Sequence, residues 1–480
     1  MSQISDWSLV ETADAVAARK VSSVEVVQTA LKRIEARQPV LNCFIRVDAD
    51  RALAEARAAD AAQAIKRSLG PLHGVPLSHK DMYYRAGLPV TCGSAIRRHF
   101  VPGYKATALQ RLDAAGAVSI GALNMSEFAN GPTGHNVHYG PTHNPWNADH
   151  ITGGSSTGSG AAVAGRVVYG SLGSDTGGSI RLPAGICGIY GIKPTQGRVS
   201  RHGVMGLSFS LDTVGPLART ARDCARLLKV IAGADANDPT AANAPVDDYE
   251  AALDGGVSGT RIAVATNHFW DGMDSEIGGL LEAALGVYSK LGATEKRITA
   301  PHLELIRGLG NIVTSSEFCA LHDDWLRQVG TEASISLGGS FLRLASRLVG
   351  CRHHRQSIDK EDFPVKTAGA GAERFSARLS GAGLGLSFFL GWTVDDAGHI
   401  AIFFIVEDDR VINFTFNFDG CDLLVRLFYR FDRWGRFLCV LKFPILPANC
   451  RGRLDNDLVG GTADRTSDRI SGKVVETAAT

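Results

Sequence analysis

"ITGGSSTGSGAAVAGRVVYGSLGSDTGGSIRLPAGICGIYGIKPTQGRVS" (residues 151–200) decides how this chain is read. It holds two clusters made almost wholly of small residues, "GGSSTGSG" (153–160) and "SDTGGSIR" (174–181), each running into an apolar stretch. A flexible linker is disfavoured, because apolar segments bracket both clusters tightly. A P-loop needs a lysine after its glycines, and none follows here. A dinucleotide fingerprint needs a third glycine where Val163 stands. Asp175-Thr176-Gly177 matches the aspartic-protease triplet, but that chemistry needs two facing carboxylates, and no second such triplet occurs. A generic tight loop stays open beside one catalytic reading, acyl transfer. That chemistry needs a nucleophile, a base, and backbone N–H groups aimed at a developing oxyanion. "DTGGS" suits the last demand, since glycines let successive N–H groups converge without Cβ interference. No histidine lies inside either cluster. The unusual neighbour is Lys80, in the Gly/Pro-bounded segment "GPLHGVPLSHKDM" (70–82). Burial would lower its pKa and let it accept a proton. A salt bridge, with the adjacent Asp81 or another carboxylate, is the equally weighted alternative.

The rest of the chain supplies the frame. Its 480 residues exceed what one core usually organises, about 250–300 residues. Hydrophobic residues make up 45% and charged residues 21%, with a formal net charge of +1. Nothing in that balance marks a nucleic-acid or membrane surface. Nine widely spaced cysteines without a CxxC argue against a disulfide framework or a zinc site. The N-terminus lacks a secretory pattern, and no apolar run reaches the roughly 18 residues of a membrane span. A cytoplasmic protein is expected.

The first 70 residues read as helical. Ser22 and Glu25 are spaced as a capping box, followed by Val24, Val27, Leu31 and Ile34 at helical intervals. "DADRALAEARAADAAQAIKR" from Asp48 is a second helix, and "ATALQRLDAAG" a third ahead of the apolar run "AVSIGALN". "RIAVATN", "SEIGGLLEAALGVYSKLGA" and "TEKRITAP" continue an alternation of strands and helices, which predicts an α/β fold. From about residue 350 the alternation fades. "HIAIFFIVEDDRVINFTFNFDGCDLLVRLFYRF" (399–431) reads as several strands, and the polar end lacks periodicity. The expected divisions are 1–345 (helices 1–70, catalytic α/β part 70–345), an atypical β-rich region 346–450, and a mobile tail 451–480.

The central stretch resembles the signature of the amidase signature family. The likeness extends to "GPLHGVPLSHKDM", "NMSEFANGPTGHNVHYGPTHNPWN" and "SLDTVGPLARTARDCARLLKVIAG", from about residue 8 to 255 and on to about 330. The resemblance implies a central mixed β-sheet flanked by helices and a Ser–cis-Ser–Lys triad. It makes Lys80 the base, Ser155 the bridging serine after a cis peptide bond from Gly154, and Ser179 the nucleophile. Ser155 is then expected within hydrogen-bond reach of both Lys80 and Ser179. Thr176, Gly177, Gly178 and Ser179 would form the oxyanion hole. It implies no cofactor and no metal, and a small-molecule amide as substrate. Nucleic acid is not contacted directly, and a homodimer is allowed. Two departures stand out. Thr157 replaces a glycine of the family's usual "GGSSGGS", and would be strained if that glycine had positive φ. After residue 330 the family's closing motifs are missing. The leading expectation is therefore an amidase working through an acyl-enzyme. The alternatives are the amidase subunit of a tRNA-dependent amidotransferase, acting with partner subunits to release ammonia from glutamine, and a family member impaired by its altered last third.

Overall fold

The computed structural model describes residues 4–65, 70–329, and five strand segments between 374 and 442. Chain contacts divide the protein into two units, Met1–Arg355 and Gln356–Thr480. The first unit opens with helices α1 (Leu9–Ala17) and α2 (Ser23–Leu41). Each starts at a reciprocal capping box, Ser8 with Glu11 and Ser22 with Glu25, which satisfies amides that have no partner inside the helix. Val27 and Ile34 of α2 are buried as their spacing predicts. The helix ends at Asn42, whose left-handed conformation suits a short polar side chain. Strand β1 (Phe44–Val47), unforeseen between two helices, leads to α3 (Ala49–Ala64) and β2 (Pro76–Lys80). Then come α4 (Thr107–Ala114), β3 (Val118–Leu123), α5 (Thr157–Ala164), β4 (Gly170–Asp175), α6 (Arg181–Cys187), β5 (Tyr190–Gly191), β6 (Thr213–Ala218) and α7 (Ala221–Ile231). Strand β7 (Arg261–Ala265), α8 (Ser275–Lys290), β8 (Thr294–Ile298) and the long α9 (Leu303–Val329) complete the described part of this unit.

The fold is α/β with mixed sheets. Strands β1-β3-β2 form one three-stranded sheet, with β2 parallel and β1 antiparallel to β3. Strands β4-β6-β5 form a second, antiparallel throughout. β7 and β8 pair in parallel. The expected central sheet is thus interrupted. β2 and β4 run side by side, but side chains join them instead of a ladder. The Leu172 amide donates to His79 Nδ1 at 3.0 Å, Tyr83 Oη donates to the Gly173 carbonyl at 2.6 Å, and Lys80 Nζ donates to Ser174 Oγ at 2.8 Å. Three successive residues of β4 are therefore tied to β2 and the turn after it. Every residue of β2 and β4 is buried. The main apolar cluster gathers Leu9 and Val16 of α1, Leu77 of β2, Leu112 of α4, Leu172 of β4, and Leu227 and Ile231 of α7 around these strands.

In the second unit, β9 (Arg374–Ser380) pairs antiparallel with β10 (Ser387–Thr393). β11 (Ile412–Phe418), β12 (Cys421–Phe431) and β13 (Phe437–Lys442) form an antiparallel meander. The segment 399–406 and the expected tail 451–480 lie outside the described residues. Among the described residues no helix is long and apolar enough to cross a membrane, and no cluster of His, Cys, Asp and Glu is arranged to hold a metal ion.

Candidate active site

Lys80 ends β2 and is 1% exposed. Its amine donates to Ser155 Oγ at 2.7 Å and to Ser174 Oγ at 2.8 Å. Among the described residues it forms no ion pair. The neighbouring Asp81 turns away and accepts from the amide and hydroxyl of Thr91. Burial lowers the Lys80 pKa to about 7, against the smaller opposing pull of Asp212 and Asp175. The salt-bridge alternative is therefore not the arrangement found. His73 and His79 are occupied elsewhere. His73 Nε2 contacts the Ala59 carbonyl. His79 accepts from Leu172, which fixes its Nδ1 as unprotonated, and burial takes its pKa down to about 3.

The first small-residue cluster forms the entry to α5. The Gly154–Ser155 peptide bond is cis, as the resemblance implied. Gly154 is obligatory there, since a Cβ would lie 2.4 Å from the Gly131 carbonyl oxygen. Backbone bonds lock the cluster: Gly154 N donates to the Pro132 carbonyl, Ser126 N to the Ser155 carbonyl, and Ser156 N to the Ser179 carbonyl. The last of these joins the two clusters directly. Thr157 begins α5 with helical geometry and is absent from the positive-φ residues. Its hydroxyl donates to Thr142 Oγ1 at 2.7 Å, so the feared strain does not arise.

The second cluster is the turn between β4 and α6. Asp175, at the end of β4, organises it. Its carboxylate accepts from the amides of Gly178 (2.8 Å) and Ile180 (3.1 Å) and from both arms of the Arg181 guanidinium (3.0 Å each). Gly178 has φ +132, which only glycine adopts readily. Its amide was expected in the oxyanion hole, but Asp175 takes it, so that assignment is corrected. The amides of Thr176, Gly177 and Ser179 have no acceptor among the described residues. Ser179 is half-buried and Gly177 exposed, while Lys80 and Ser155 behind them are buried. Ser155 is joined to Lys80 as expected. A hydroxyl bond from Ser155 to Ser179 is not formed. The arrangement puts a low-pKa amine behind a buried hydroxyl, and a reachable hydroxyl on a turn with free amides.

The family model described as Amidase matches residues 25–336, well over half the chain. The chain belongs to the amidase signature family. Within it, the chain is 48% identical over 298 residues to a glutamyl-tRNA(Gln) amidotransferase subunit of Methylococcus capsulatus, covering 62% of this chain and 61% of that protein. The chain thus spans about three-fifths of the length of the curated relatives it matches. Among solved structures, the native peptide amidase of Stenotrophomonas maltophilia is 32% identical with a TM-score of 0.64, covering 72% of this chain and 76% of that one. A chain from a vestigial protein complex, described for the origins of an s-triazine catabolic enzyme, is 37% identical with a TM-score of 0.65 and covers 71% and 76%.

Three residues of this amidase-family site escaped the sequence reading. Ser174 and His79 acquire their roles only when β4 settles beside β2. Asp212 precedes β6 and reaches the oxyanion turn across a strand ladder. The one signal on offer was the density of polar residues, Ser78-His79-Lys80 and Ser171 to Asp175, in segments otherwise read as buried strands.

Proposed function

We propose that this chain hydrolyses a carboxylic amide through an acyl-enzyme on Ser179. The observation that carries the reading is the buried Lys80 amine, held by two serine hydroxyls. Above about pH 7 that amine is uncharged and has a lone pair to accept a proton. Ser179 Oγ attacks the amide carbonyl carbon while its proton passes to Ser155 and the Ser155 proton passes to Lys80. The carbonyl oxygen becomes negative and is met by the free amides of the 176–179 turn. The C–N bond breaks as the relay returns the proton to the leaving amine. Water then attacks the acyl ester by the same route, releasing the acid and restoring Ser179. The open Ser155–Ser179 contact fits a resting site, since catalytic hydrogen bonds often tighten only when substrate is bound.

A second reading has its own support. The names of the 46–48% identical relatives make this chain similar to the ammonia-releasing subunit of a tRNA-dependent amidotransferase. Partner subunits belong to that reading alone. A panel of aryl amides, aliphatic amides and glutamine, offered to the purified chain with and without such partners, separates the two. Turnover of simple amides by the chain alone supports the first. Glutamine hydrolysis that needs partner subunits supports the second. A folded chain inert under both conditions supports the impaired family member.

A further inference from the structure

The ladder between β4 and β6 pairs Asp175 with Thr213. The next pair beyond its end is Thr176 with Asp212, so the strand register itself brings Asp212 to the oxyanion turn. Thr176 Oγ1 donates to Asp212 Oδ1 at 2.5 Å. The other carboxylate oxygen accepts from the amides of Leu207 (2.7 Å) and Ser208 (3.0 Å). Asp212 is 8% exposed and lines a cavity of about 240 Å³ together with Ser174, Met82 and Leu321.

The loop that carries Asp212 is held from a distant part of the chain. Glu317 of α9 accepts from the hydroxyls of Ser208 and Ser210 and from the Ser210 amide, the last at 3.0 Å. One turn further on, His322 Nε2 contacts the Gly206 carbonyl at 2.9 Å. Between them Phe318 is 1% exposed and packs against Phe128. Gly206 lets α9 approach closely, since a Cβ there would lie 3.1 Å from Leu321. A chain of direct contacts therefore runs from α9, through residues 206–212, to Thr176.

We propose that Asp212 is a positioning residue for acyl transfer, fastening Thr176 so that the oxyanion turn keeps its free amides convergent, with Glu317 of α9 fixing the loop that carries it. Asp212 touches neither substrate nor nucleophile in this role. It acts through Thr176, and the inference rests on the acyl-transfer reading of Ser179. Asp212 also lies near Lys80, whose other charged or titratable neighbours are Asp175 and Cys92.

The test is a double-mutant cycle on an anilide that the wild type cleaves, using Asp212→Asn, Thr176→Val and the pair. Each single change is expected to lower kcat by about 10- to 100-fold with KM little changed, below the full loss of an oxyanion donor. The pair should cost no more than the worse single change, because both remove one link. Thr176→Ser, which keeps the hydroxyl, should recover most of the loss. In Asp212→Asn the acid limb of kcat/KM should also move to lower pH, because a negative charge near Lys80 is gone, whereas a loss through general loosening would leave that limb in place. If Asp212→Asn does not fold, Thr176→Val against Thr176→Ser still decides the role of the hydroxyl. Additive losses, or full activity in Thr176→Val, overturn the proposal while the acyl-transfer reading survives. A wild type that cleaves amides equally well after Ser179→Ala overturns both.

Discussion

Lys80 carries the site because of what surrounds it. An amine in water would hold its proton to about pH 10.5. Here burial lowers that value to about 7, and the two nearest groups are hydroxyls that cannot restore the charge. The sign follows directly. Below pH 7 Lys80 is protonated and cannot take a proton from Ser155, so kcat/KM should fall about tenfold per pH unit on the acid side and level off above. A pH–rate profile whose acid limb lies near 3 would point to His79 instead. Lys80→Met is expected to lose at least about 10³-fold in turnover, as single removals from a cooperating triad commonly do. Lys80, Ser155 and Ser179 were legible in the sequence, because their motifs are long and each chemical role demands one residue type. The choice between base and ion pair at Lys80 was not legible. It depends on where Asp81 points, and that is set by Thr91, ten residues away in sequence.

At the scale of elements, the break between the two three-stranded sheets is where the site is built. A continuous ladder would occupy the β4 backbone with the β2 backbone. Here His79 takes the Leu172 amide, and Lys80 is left facing Ser174 and Ser155. His79→Leu should leave a buried amide without an acceptor and cost about 1–3 kcal/mol. Thermal unfolding should show a lowered Tm, and kcat should drop because the strand that presents Lys80 loses an anchor. An unchanged Tm would mean that the stitch contributes little. Most elements followed their sequence signals: the Ser22–Glu25 box opened α2, and the apolar run 117–124 became β3. Two did not. β1 is only four residues long between two helices, too short to show its period. Helix α9 was passed over because its docking residues, Glu317, Phe318 and His322, mix charge, ring and apolar surface and form no simple stripe. Their meaning lies in the loop 206–212, more than a hundred residues earlier.

For the whole molecule, the described apolar clusters are built from residues between Leu9 and Ala232, with Phe318 of α9 their one later member. Helix α8, by contrast, buries none of its residues. The proposed catalytic groups thus sit in the best-packed part of the chain, and α9 is the last described element to touch the residues around them. The family's closing motifs are missing beyond residue 330, yet Lys80, Ser155 and Ser179 are all supplied by elements that end before residue 188. The account therefore expects nucleophile chemistry from the full-length chain. The most direct measurement is peptide-resolved mass spectrometry after exposure to a fluorophosphonate, whose phosphorus is attacked by an activated serine as fluoride leaves. One adduct on Ser179, lost in Ser179→Ala and slowed at least about 10³-fold in Lys80→Met, is the predicted result. An adduct on another residue, or labelling of Ser179 at an unchanged rate without Lys80, would contradict the account.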